Sequence, residues 1–259
     1  MQFTRIDDAV FHYQVIGAAP DRPVLAFVNA LGTDFRIWRD VVVRLVGRFS
    51  ILLYDARGHG LSGSGEGAVT IERHADDLAQ LLDVIGKGSA IICGLSMGSL
   101  VAHTHPEKVK ALILCGALAR FGEPEDWDAR IASVEANGIE ALADTLMEHW
   151  FTEGFRVDNP ADVAGYRNMV IRQPGAGYIA SCAALRDGDL TALSGEVAVP
   201  TLCIVGDKDG AVSPSAVANL ARAIPGARFE LIKNAAHMLP VESPDTMSDI
   251  ITAFADLAE

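Results

Sequence analysis

The chain has 259 residues, half of them hydrophobic, which suits one large α/β domain or a domain carrying an inserted subdomain. Lys and Arg total 21 against 34 Asp and Glu, a net charge of −13 that argues against nucleic acid or an anionic membrane as partner, although one local cation can still hold a small anion. Cys93, Cys115, Cys182 and Cys203 show no C-x-x-C or Cys/His spacing, so neither a disulfide framework nor a metal site is expected.

Met1–Asp8 lacks the apolar core of a signal peptide. No apolar run nears the ~18 residues of a membrane span, so a cytoplasmic protein is expected. Gln2–Ile6 and Val10–Val15 predict a hairpin at a sheet edge. Pro23–Asn29, Ser50–Asp55, Ser89–Leu95, Lys110–Cys115, Pro200–Gly206 and Arg228–Ile232 are short and rich in Val, Ile and Leu, and predict central strands. Thr70 is placed to cap a helix with Ile71, Leu78, Leu82 and Ile85 on one face. Ser213-Pro214 and Ser243-Pro244 each join a cap residue to a first-turn proline. The second opens a helix striped by Met247, Ile250, Ile251, Phe254 and Leu257. This alternation is the pattern of a mostly parallel, twisted sheet with helices on both faces.

One stretch breaks the alternation. From Ala119 to Arg186 the pattern is helical throughout, which predicts a helical cap (119–187) inserted into a core formed by 1–118 and 188–259. Such an insert would lie over the carboxyl edge of the sheet, where open α/β sheets bind ligands.

Gly94-Leu95-Ser96-Met97-Gly98 follows a predicted strand and opens a helix. A serine on a sharp strand-to-helix turn projects above the sheet, and glycines two residues away on either side let the backbones pass closely. Ser96 is therefore the candidate nucleophile of an α/β-hydrolase fold. In that fold the acid and then the base follow in chain order. Asp207 and Asp209 both follow strand Pro200–Gly206. Asp209 is favoured because it clears the strand end, whereas Asp207 at the tip reads as a carboxylate that braces the loop or faces solvent. His237, between the last strand and the last helix, is the candidate base, since a neutral imidazole there can take the serine proton. His59 in a turn, His74 on a helix, His103 and His105 at the end of the nucleophile helix and His149 in the cap receive no catalytic role. The oxyanion donors expected are the amides of Met97 and of Leu31, the latter in Asn29-Ala30-Leu31-Gly32-Thr33-Asp34.

Several segments together resemble the 3-oxoadipate enol-lactonases. They are Asn29–Asp34 with Trp38, Tyr54-Asp55-Ala56-Arg57-Gly58-His59-Gly60-Leu61-Ser62, Gly94–Gly98, Trp127-Asp128-Ala129-Arg130-Ile131, Glu148-His149-Trp150-Phe151, Gly177-Tyr178, Ala184–Leu190, and Ala236-His237 followed by Val241-Glu242. The resemblance implies hydrolysis of a small anionic enol-lactone to 3-oxoadipate in aromatic-acid catabolism, through an acyl-enzyme and without metal or organic cofactor. It also implies substrate contacts in the cap: Arg130 as a bidentate grip on the carboxylate, with Trp127 and Trp150 walling the ring. Self-association is left open. Three features depart from the family's pattern. The helix from Met97 to His105 is about one turn short, Ser99 stands where a second glycine is usual, and Gly210 follows the acid where a bulkier residue is common. The same residues would also serve a promiscuous carboxylesterase or a cofactor-free perhydrolase, or a ligand sensor whose hydrolysis is vestigial.

Overall fold

A computed structural model describes residues 1–19, 21–97 and 105–258. Its strands are β1 (Gln2–Ile6), β2 (Ala9–Ile16), β3 (Val24–Val28), β4 (Ser50–Tyr54), β5 (Ala90–Leu95), β6 (Val109–Cys115), β7 (Thr201–Gly206) and β8 (Arg228–Ile232). They form one sheet in the order β1-β2-β4-β3-β5-β6-β7-β8. The hairpin β1–β2 joins β4 antiparallel, and all other neighbours are parallel. Strands β3 to β7 are buried on both faces apart from Lys110, which is why they read as continuous apolar runs.

Helices α1 (Arg39–Leu45) and α2 (Ile71–Val84) carry the chain from β3 to β4 and from β4 to β5. The Thr70 hydroxyl caps α2 by accepting from Arg73 N. The helix stops at Gly86, whose φ of +71° only glycine adopts cheaply, while Lys87 N donates back to Leu82 O. Between β6 and β7 the chain runs through α3 (Pro124–Asn137), α4 (Glu140–Trp150), α5 (Glu153–Asp158), α6 (Pro160–Ile171) and α7 (Gly175–Asp187). It then continues through α8 (Pro214–Ala223), the short α9 (Leu239–Glu242) and α10 (Pro244–Ala258). No helix among the described residues is long and apolar enough to cross a membrane.

The strand order explains where the site forms. From β3 the chain steps to β4 on one side, then crosses back to β5 on the other. The loops leaving β3 and β5 therefore diverge at the carboxyl edge and open a crevice between adjacent strands. Ser96 and the Asn29–Asp34 loop are the two walls of that crevice.

Candidate active site

Ser96 follows β5 directly and has φ +53°, in the left-handed region that non-glycine residues avoid. Its N–H donates to Cys115 O of the neighbouring strand at 2.8 Å, which holds the turn against that strain. Met97 follows as the first helical residue, buried. The remainder of the predicted nucleophile helix, residues 98–104 with Gly98, Ser99 and His103, lies outside the described residues.

The loop after β3 is held from below. Gly32 has φ +78° and donates its N–H to His59 Nε2 at 3.0 Å, while His59 Nδ1 donates to Arg57 O at 3.1 Å. Complete burial lowers the His59 pKa, so the neutral ring supplies one acceptor and one donor, as these contacts require. Arg57 is itself fixed by a two-pronged pair with Asp77 (2.9 and 2.6 Å). Asn29 locks the loop's other end, donating to Tyr54 O at 2.8 Å and accepting from Trp38 Nε1 at 2.9 Å. The Y-D-A-R-G-H-G segment thus braces the loop that carries Leu31.

His237 lies past β8, with Nδ1 2.8 Å from Asp209 Oδ2. The other Asp209 oxygen accepts from Ala211 N and Val212 N, both at 2.8 Å, which aims the carboxylate at the ring. Both side chains are almost fully buried. Asp207 does not join them: its Oδ1 is buried without a hydrogen-bond partner and its Oδ2 lies 4.0 Å from Lys208 Nζ. Of the two aspartates after β7, the structure pairs Asp209, the one the sequence favours, with the imidazole.

These groups meet the cap helices around a cavity of about 360 Å³ whose lining includes Leu31, Ser96 and His237 from the sheet side. Trp127, Arg130 and Trp150 line it from the cap. The Arg130 guanidinium carbon sits 5.1 Å from the centre of the Trp127 ring, and Trp127 Nε1 donates to Phe121 O at 2.6 Å. Arg130 lies over Trp127 and beside the Tyr178 hydroxyl and forms no ion pair among the described residues, so no carboxylate of the chain neutralises its charge. Tyr178 also lines the cavity, its hydroxyl pushed up to about 12 by burial. The arrangement offers a strained serine, an oriented imidazole and one cation in a chamber of mixed polar and apolar lining that also includes Asp126 and His149.

The alpha/beta hydrolase fold family matches residues 23–244 of this sequence. The chain belongs to that family. It is similar to the 3-oxoadipate enol-lactonase 2 of Acinetobacter baylyi, with 30% identity over 95% of this chain and 93% of the relative. The crystal structure of the enol-lactonase from Burkholderia xenovorans LB400 superposes with a TM-score of 0.95 at 32% identity, covering 98% of this chain and all of the other. A malate-bound thermophilic esterase from Thermogutta terrifontis superposes at 0.93 with 26% identity, covering all of this chain and 99% of that one.

Several supports of this hydrolase's site escaped the sequence reading. Gly116 ends β6 with φ +51°, and a Cβ there would lie 2.9 Å from His237 Cε1 and 3.2 Å from Asp209 Oδ2, so the His–Asp pair occupies the space a side chain would take. A Cβ on Gly210 would meet the His149 backbone at 3.0 Å, which gives the glycine after Asp209 a reason: it lets α4 close onto the acid loop. Glu242 joins the His237 loop to the cap. In the sequence Gly210 stands out only as a departure from the family's pattern and Glu242 only as part of it, while Gly116 is a glycine at a strand end, too common to interpret alone.

Proposed function

We propose that this hydrolase opens a small carboxylate-bearing enol-lactone, 3-oxoadipate enol-lactone, to 3-oxoadipate in the breakdown of aromatic acids. The observation that carries the reading is that one cavity brings Ser96 and the Asp209-paired His237 together with Arg130, which has no ion-pair partner among the described residues. Similarity to enol-lactonases along almost the whole chain supports the substrate.

In this reading Ser96 Oγ attacks the lactone carbonyl carbon as His237 takes its proton, and Asp209 stabilises the imidazolium. The amides of Leu31 and Met97 hold the oxyanion. Collapse breaks the ring C–O bond, and the proton on His237 passes to the departing enol oxygen. The enol stays on the same molecule as the acyl group and tautomerises to the ketone. His237 then takes a proton from water as its oxygen attacks the acyl carbon; collapse breaks the bond to Ser96 Oγ, His237 returns the proton to that oxygen, and the new carboxylate leaves. Arg130 grips the substrate's existing carboxylate through both reactions, and Trp127 and Trp150 flank the ring. No metal or organic cofactor takes part.

Release of 3-oxoadipate, measured beside hydrolysis of neutral p-nitrophenyl acetate, tests this. Ser96→Ala should lower lactone turnover by at least about 10³-fold, and retention within tenfold would refute the mechanism. Arg130→Ala should lower kcat/KM for the anionic lactone by roughly 10- to 100-fold, the worth of a charged hydrogen bond, while sparing the neutral ester. Equal loss on both substrates would refute the anion-binding role and favour a general carboxylesterase.

A further inference from the structure

His237 is flanked by two residues that each use their N–H outside the loop. Ala236 N donates to Glu242 Oε2 at 2.6 Å, and Met238 N donates to the carbonyl of Trp150 at 3.0 Å. Trp150 ends cap helix α4 and lines the cavity. The second Glu242 oxygen, Oε1, accepts from Thr152 N and from Thr152 Oγ1, both at 2.8 Å. Thr152 is the N-cap of cap helix α5, its hydroxyl accepting from Phe155 N. Both N–H groups flanking His237 therefore lead to the same cap segment, 150–152, one directly and one through Glu242, while Lys208 N and Asp209 tie the loop to the end of β7.

We infer that Glu242 is a positioning residue for His237, and that through it the cap forms part of the scaffold that aligns the imidazole. The inference rests on the reading of His237 as the base. A carboxylate suits the task because each oxygen accepts independently, and an ionised acceptor strengthens all three bonds. No neutral side chain of that length offers acceptors on both sides. Catalytic groups need placement to within about 0.5 Å, and displacement by about 1 Å is enough to cost roughly 10²-fold in rate. A cap segment that shifts would draw Ala236 and Met238 with it, so the seating of the cap adds to the alignment that Asp209 gives the imidazole.

The test uses Glu242→Gln, which keeps length and shape but turns one acceptor into a donor, so that at least one N–H now faces an N–H₂ group. The full chain is assayed for kcat and KM on the enol-lactone. The low-field proton resonance of the His237–Asp209 hydrogen bond is followed by NMR, and Ser96 is labelled with a fluorophosphonate. The expected result is a kcat lowered by about 10- to 100-fold with KM within threefold, and a broadened or lost low-field resonance. Thr152→Val, which removes one of the three bonds together with the α5 cap, should show a smaller loss of the same kind and serves if Glu242→Gln does not fold. The inference is overturned if the resonance and kcat stay as in wild type, or if the loss falls only on KM or thermal stability. If wild-type Ser96 takes no label, the reading of the base fails and the inference with it.

Discussion

Gly177→Ala tests how closely the cap must sit on the sheet. A Cβ on Gly177 would lie 2.1 Å from Gly58 O and 2.6 Å from Gly58 Cα, both backbone atoms. Gly58 has φ +71° and its N–H is bonded to Gly63 O, so it cannot give way cheaply. Moving from 2.1 Å to an ordinary contact near 3.4 Å makes α7 retreat by about 1.3 Å. Two effects oppose each other. Alanine is preferred to glycine inside a helix by up to about 1 kcal/mol, whereas overpacking costs about 1–3 kcal/mol. Overpacking should win, lowering Tm by several degrees at about 2–4 °C per kcal/mol. The functional effect should be larger, because the next residue, Tyr178, lies over Gly32 of the Leu31 loop and lines the cavity. Misplacement by about 1 Å predicts a kcat/KM loss near 10²-fold. Gly165→Ala in α6 is the control: nothing lies within 4 Å of its Cβ, and it should leave kcat/KM unchanged and hold or raise Tm. A Gly177→Ala protein as stable as wild type, with kcat/KM within threefold, would refute the argument.

Two further outcomes concern buried charge. Arg57→Met leaves the Asp77 carboxylate buried and unpaired, at a cost of about 3–5 kcal/mol near pH 7 by urea denaturation. Burial already raises the Asp77 pKa, and Arg57 opposes that rise. Removing Arg57 raises it further above the unfolded value of 3.8. A raised folded pKa gives stability that is present below the unfolded value and lost as pH rises. The deficit should therefore shrink between pH 7 and pH 5, and an equal deficit at both would contradict the reasoning. His74, on α2 beneath the cap with Nε2 3.4 Å from Ser181 Oγ, has its pKa lowered to about 3 by burial. A depressed histidine gives stability that is present above its unfolded value of 6.5 and lost as pH falls toward about 3. His74→Asn should remove up to about 1.4 kcal/mol per pH unit from the slope of stability against pH below 6.5, and an unchanged slope would exclude His74 as its source.

Much of the chain announces itself locally. Apolar runs gave strand positions that differ from the observed ones by a residue or two at their ends, and Arg228–Ile232 matches outright. Thr70 and Ser213 were legible as caps because a cap bonds to an N–H three residues away, inside the window a pattern can see. The same holds for Ser96, whose turn is encoded in five consecutive residues, and for the order in which Asp209 and His237 follow late strands.

What stayed hidden depends on residues far apart in the chain. Asp207 and Asp209 are chemically identical and two positions apart. The sequence favours Asp209 by its place past the strand end, but what holds it there is tertiary: the space Gly116 leaves beside His237 and the Ala211 and Val212 amides that aim its carboxylate. His59 read as a turn residue because its partner, Gly32, lies 27 positions earlier. Glu242 and Thr152 are 90 positions apart, and no period or motif connects them. Short-range geometry follows from backbone chemistry, which the residues carry with them wherever they occur. The seating of the cap, the partner of the imidazole and the brace beneath the Leu31 loop arise only when the sheet sets distant loops side by side.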